Sequence, residues 1–120
     1  MPRLVVRPAT REDIEGFADM AERPTVRAIV GEIEGRIVGM GGFALLEGRW
    51  VGFCDLTADV RPYKMTIMRA AKRLMGQARR DGVKFVYADV DANEPRAHAW
   101  LASLGFEPDL RSARLYRWSA

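Results

Sequence analysis

The order of hydrophobic patterns along the 120-residue chain predicts an α/β domain: a mixed, mostly antiparallel sheet of six to seven strands flanked by three helices. Three observations carry this. Short β-branched runs joined at Glu34-Gly35 and Glu47-Gly48 read as successive hairpins. Apolar residues recur at helical spacing in three separate segments. In the second half of the chain helix and strand alternate, which requires crossover connections.

The elements follow in order. Leu4-Val5-Val6-Arg7 reads as a first strand. Thr10 before Arg11-Glu12-Asp13 is a helix N-cap with acids in the first turn. Ile14, Phe17, Ala18 and Ala21 form one apolar helix face, and Pro24 closes that helix. Strands are expected over 26–33, 36–46 and 50–56. A second helix then begins near Pro62–Thr66, with Met65, Met68, Ala71, Met75 and Ala78 as its apolar face. The methionines at 65, 68 and 75 read as helix core. Asp81-Gly82 ends this helix, and 83–90 is the most strand-like segment of the chain. Asn93-Glu94-Pro95 opens a third helix whose apolar face is Ala97, Trp100, Leu101 and Leu104. Gly105 sits where a left-handed cap is expected, and Phe106 and Leu115–Trp118 supply the last strands.

Composition confines the chain to one domain spanning 1–120. Its 48% hydrophobic and 29% charged residues exclude intrinsic disorder. No apolar run approaches the roughly 20 residues of a membrane span, and the first seven residues lack a signal-peptide core. The single cysteine, Cys54, excludes an internal disulfide and a cysteine-rich zinc site. The expected compartment is the cytoplasm. The net charge of +3 is unevenly spread: residues 61–80 carry +7 and no acid, so the remainder sums to −4. Such a segment suits a phosphate-bearing ligand, nucleic acid or an anionic surface, or else a solvated helix face. Aromatic residues do not alternate with the cations, and no nucleic-acid motif is present, which argues against nucleic acid.

From Val5-Val6-Arg7-Pro8-Ala9-Thr10 to the terminal strand, the chain resembles the GNAT superfamily of acetyl-CoA-dependent N-acyltransferases. The most specific match is Asn93-Glu94-Pro95-Arg96-Ala97-His98-Ala99-Trp100-Leu101-Ala102-Ser103-Leu104-Gly105-Phe106. Its His-x-Trp-Leu-x-x-Leu-Gly-Phe form is similar to GNAT-like proteins of tailed phages and prophages. The resemblance implies acetyl-CoA as co-substrate and an amine as acceptor, in a monomer or homodimer. It places the pantetheine arm on the backbone of Leu56, Thr57 and Ala58. The CoA phosphates fall at the start of the second helix, near Arg61, Lys64, Thr66 and Arg69, where free N–H groups and the helix dipole favour an anion. Asn93 would bond the pantetheine or cap the third helix.

Three departures accompany the resemblance. The family's pyrophosphate loop, Arg/Gln-x-x-Gly-x-Gly/Ala, aligns with Lys64–Arg69, so Ile67 and Arg69 stand at both glycine positions and the loop is degenerate. Leu101 occupies the position of the usual tyrosine and cannot protonate a leaving thiolate. Only Glu22–Thr25 separates the first helix from the next strand, which leaves the family's second helix missing or minimal.

Among titratable residues, Asp55 is the candidate general base for the acceptor amine, with Glu32 and Glu47 as weaker versions. His98, the only histidine, stands one turn before Leu101 and is the candidate proton donor, with Tyr63, Tyr87 and Tyr116 as others. Asp89 and Asp91 share a strand face. Cys54 reads as a buried strand cysteine rather than a nucleophile. Two functions remain open at this level: an N-acetyltransferase, and a catalytically degenerate domain of the same fold with a structural or accessory role.

Overall fold

The computed structural model describes residues 2–17, 25–89, 95–109 and 115–120. Its elements are β1 (Leu4–Pro8), α1 (Arg11–Phe17), β2 (Val26–Ile33), β3 (Arg36–Leu46), β4 (Arg49–Leu56), a 3-10 helix (Ala58–Tyr63), α2 (Lys64–Arg80), β5 (Phe85–Asp89), α3 (Pro95–Ser103), β6 (Phe106–Pro108) and β7 (Leu115–Ser119). The strands form one seven-stranded sheet in the order β1-β2-β3-β4-β5-β7-β6. Every neighbouring pair is antiparallel except β4 and β5. The expected α/β class, mixed sheet and three helices are all present. Ala18, Ala21 and Pro24 of the expected first helix, the Glu22–Pro24 connection, Asp91 and Asn93 lie outside the described residues.

Local chemistry explains the boundaries. The hairpins turn through Glu34-Gly35 and Glu47-Gly48, with positive φ at both residues of each turn. At the start of α1, Thr10 and Asp13 form a reciprocal cap: the Thr10 N–H and hydroxyl donate to Asp13 Oδ2 at 2.7 and 2.9 Å, and the Asp13 N–H donates to Thr10 Oγ1 at 3.3 Å. The C-terminus of α2 is a Schellman motif. The Gly82 N–H reaches Arg79 O at 3.2 Å, and the Val83 N–H reaches Ala78 O at 3.0 Å. Val83 therefore caps α2 with its side chain in the core, and β5 begins at Phe85 rather than at 83. The 3-10 helix before α2 carries no distinct signal in the sequence, since Ala58–Tyr63 shows neither an apolar period nor a side-chain cap.

Residues paired across strands share a face of the sheet. One face carries Val6, Gly31 and Gly39 abreast on β1, β2 and β3, and Gly41 opposite Cys54 on β4. Both α2 and α3 cover this face. Met75 and Ala78 of α2 and Leu101 of α3 pack with Val86, Ala88, Tyr116 and Trp118 in the larger core cluster. A smaller cluster joins Leu4, Ile33, Val38 and Val60. On α2 the buried stripe is Ala70, Met75 and Ala78, flanked by Ile67, Ala71 and Leu74. Met65 lies about 200° around the helix from Ile67 and is 66% exposed, so its expected core role is corrected.

The opposite face carries Arg7, Val30, Glu32, Met40 and Asp55, and α1 lies over it. Arg7 fixes α1 there, donating to Asp13 Oδ2 at 2.7 Å and to Glu32 Oε1 at 2.7 Å. Bonds from Arg7 and Thr10 hold the Asp13 carboxyl well below its ordinary value of 3.8. Its stabilisation is therefore complete above that pH and is lost as pH falls below it. Urea midpoints measured from about pH 4 downward should fall less steeply for Asp13→Asn than for the parent, while Asp13→Asn is the less stable at pH 7. Gly42 serves a different constraint. A Cβ there would lie 2.1 Å from Arg27 O and 2.6 Å from Ala28 Cα, both backbone atoms. Gly42→Ala should cost about 3 kcal/mol and lower Tm by roughly 10 °C in a thermal melt.

Candidate active site

The site begins where β4 and β5 part. Among the described residues these parallel strands are in register only at Val51 and Tyr87, and β4 continues to Leu56 with no register partner on that side. The Thr57 N–H donates to Val38 O at 2.9 Å, which extends the β3–β4 ladder. In an antiparallel ladder alternate residues direct both backbone groups to the partner strand. Asp55 and Phe53 therefore bond toward β3, as Thr57 does. Cys54 and Leu56 direct their N–H and C=O groups into the opening. The ladder places a bulge in β3 at Val38, since Gly31 pairs Gly39 while Glu32 pairs Ile37.

Two depressions flank this end of β4, one on each face of the sheet. A cleft of about 350 Å³ lies under α2 and α3. It runs from Ala88 and Asp89 on β5, past Cys54 and Leu56, to Leu4 on β1. Its described lining is almost wholly apolar, with Cys54 and Asp89 as its only titratable side chains. A second depression of about 420 Å³ opens on the α1 face, where Glu12, Asp13, Asp55 and Thr57 border it. Gly39 and Met40 line both, so the two back onto each other through the sheet. Asp55 is exposed at this second depression, on the opposite side of β4 from Cys54.

The other predicted residues are placed as follows. Leu101 is 8% exposed and lines the cleft, so the family's tyrosine position faces the site with a side chain that has no proton to give. His98 borders neither depression. Its Nδ1 lies 2.6 Å from the hydroxyl of buried Tyr116, tying α3 to β7. Arg61, Lys64 and Arg69 are exposed around the 3-10 helix and the first turns of α2, and Thr66 is half-buried there. None of the three cations is in an ion pair among the described residues. Tyr63, with no side-chain cap hydrogen bond, precedes α2. Ile67 packs against the smaller core cluster. Glu32 is held by Arg7. Tyr63 donates its hydroxyl to Pro2 O.

Cys54 departs from expectation: it is exposed, opening into the cleft rather than buried. The cleft walls still strip it of water, and with the neighbouring Asp55 carboxylate they push its thiol up to about 11. A thiol so raised is a poor nucleophile at neutral pH, which agrees with the sequence reading. Sequence reasoning missed the cleft floor. Gly31, Gly39, Gly41 and Gly52 lie together on the α2 face across three strands. The available signal was glycine recurring inside strands, which marks a close approach of backbone or ligand.

Solved structures share this fold. The ribosomal-protein-S18-alanine N-acetyltransferase of Escherichia coli matches with a TM-score of 0.70 at 15% identity, over 98% of this chain and 94% of that one. A domain from Methanocaldococcus jannaschii matches at 0.71 and 15%, over the whole of both chains. An N-acetyltransferase from Staphylococcus aureus Mu50 matches at 0.71 and 13%, over 98% of each. No curated protein matches the chain. Residues 3–106 match the model of the Acetyltransferase (GNAT) family. The chain belongs to the acetyltransferase (GNAT) family.

Proposed function

We propose that the protein is an N-acetyltransferase that moves an acetyl group from acetyl-CoA to an amine. One observation carries this reading: Cys54 and Leu56, with no β5 register partner among the described residues, turn their backbone groups toward an apolar cleft at the β4–β5 divergence. An extended amide-bearing arm such as pantetheine can complete that strand edge. Leu56, Thr57 and Ala58 were the backbone positions expected to hold it. The Thr57 N–H is spent on Val38, so the donor that polarises the thioester carbonyl is Leu56 or Cys54. Arg61, Lys64 and Arg69 stand where the phosphates would lie, with Thr66 in the same turn. Asn93 is assigned to the pantetheine or to the α3 cap.

The amine enters from the α1 face. The Asp55 carboxylate takes a proton from the acceptor ammonium directly or through water. The freed nitrogen bonds to the carbonyl carbon, and the C–S bond breaks so that CoA leaves as a thiolate, which takes up the proton the nitrogen loses as the amide forms. Glu12 beside Asp55 favours a cationic acceptor in this depression. His98 fits a positioning role better than proton donation, because its bond to Tyr116 directs it away from the cleft. Leu101 on the cleft wall favours a second reading, a domain that keeps the fold and binds without catalysis.

Calorimetry with acetyl-CoA and with CoA tests the site: both should bind, and Arg61→Gln combined with Lys64→Gln should weaken both about tenfold at low salt. No heat from either ligand would refute the reading. Thiol release with a panel of amines tests catalysis. Asp55→Asn should lower kcat about 100-fold and leave acetyl-CoA affinity unchanged. Binding without release by the parent protein would establish the second reading.

A further inference from the structure

We propose that this site takes an acyl group longer than acetyl, an unbranched apolar chain of about six to eight carbons carried on CoA. The inference rests on the acyltransferase reading above and concerns what the cleft holds beyond the thioester.

The cleft extends much further than pantetheine requires. From β4 it passes across β3 and β2 to Leu4 on β1, a distance of about 14 Å at ordinary strand spacing. This room lies between the two core clusters, which share no buried residue. Its floor is open at Gly41 and Gly52, whereas the side chains of Leu56 and Leu4 lie over Gly39 and Gly31; on the helix side Ala70 and Ala71 stand between the larger Ile67 and Leu74.

The backbone does not demand two of these glycines. Neither Gly41 nor Gly52 has a positive φ. A Cβ at Gly41 would meet Phe53 O at 3.6 Å and Cys54 Sγ at 3.7 Å, and one at Gly52 would meet nothing closer than 3.6 Å. These are ordinary contacts. Glycine inside a strand is less stable than a residue with a side chain, so its presence here leaves space where a core would otherwise close. An apolar cavity of about 150 Å³ already admits a six-carbon ring, and the whole cleft, the part assigned to pantetheine included, measures about 350 Å³. Among the described lining residues the titratable side chains are Cys54 and Asp89, at the β4–β5 end, so the inner part disfavours a charged acyl group.

The test is calorimetry with CoA, acetyl-CoA, butyryl-CoA, hexanoyl-CoA and octanoyl-CoA on the parent protein, Gly41→Val and Ala71→Leu. Affinity should rise with chain length and reach at least tenfold over acetyl-CoA by hexanoyl-CoA, given the gain from each buried methylene. Gly41→Val should raise Tm and abolish the dependence on chain length, while binding of free CoA persists. Ala71→Leu fills the same room from the helix side and should do the same if Gly41→Val fails to fold. Equal or weaker binding of hexanoyl-CoA than acetyl-CoA overturns the inference and leaves the acetyltransferase reading intact. Failure of CoA and every thioester to bind overturns both.

Discussion

The parallel pairing of β4 with β5 is the constraint on which the rest depends. Five of the six neighbouring strand pairs are antiparallel and need no parallel crossover. Placing β5 parallel to β4 requires a crossover, and α2 supplies it. Among the described residues the two strands share one register pair, so the end of β4 has no strand partner on that side. Cys54 and Leu56 are exposed there, and a ligand with amides along an extended arm can bond such an edge. The divergence also decides which side chains matter. Alternation along β4 sends Cys54 and Leu56 to the α2 face and Asp55 to the α1 face, so one strand borders both the apolar cleft and the acidic depression.

The glycines on β2, β3 and β4 are the second consequence. A sheet face covered by a 17-residue amphipathic helix would ordinarily carry β-branched residues beneath it. Here four glycines take that place, and the core divides into a larger cluster around Val86 and Trp118 and a smaller one around Val38 and Val60. The smaller cluster depends on other ties. The Arg7, Asp13 and Glu32 bonds join β1, α1 and β2, and Tyr63 bonds the backbone at Pro2. At the far end of β2, Arg27 pairs with Asp81 beyond α2 and lies over Trp50, whose ring meets Phe43 edge-on at 5.4 Å. Polar contacts at the rim thus hold the wall of the cleft where packing does not.

Fold and site were legible in the sequence to different depths. Strand and helix positions follow from local chemistry, and local chemistry is written in order: Glu-Gly turns, the Thr10–Asp13 cap, the Asp81-Gly82 end of α2. The errors lie where tertiary contact decides. Met65 satisfies a helical period, but α2 is rotated so that Ile67 and Ala70 meet the sheet instead. Cys54 reads as a strand interior residue, and only the divergence of β4 from β5 exposes it. Leu101 lines the cleft, and Gly105 with its positive φ ends α3 four residues later. The glycine floor was invisible because its members come from three strands and meet only through register.

The uneven charge resolves along the same lines. Cations at the C-terminal turn of α2 complement the helix dipole, and they are engaged: Arg79 lies over Trp118, and Arg80 bonds Gln77 at 2.9 Å. Those at the other end have no such explanation. Lys64 opens the helix and Arg61 precedes it, at the positive end of the dipole, and the first turn contains no acid to offset them. Cations gathered there repel both one another and the helix terminus. An anion seated at that turn reverses each of these interactions at once, since the same cations and N–H groups then attract it. Under the proposed function the phosphates of a CoA thioester would supply such an anion, held at this turn by side-chain charge together with the free N–H groups.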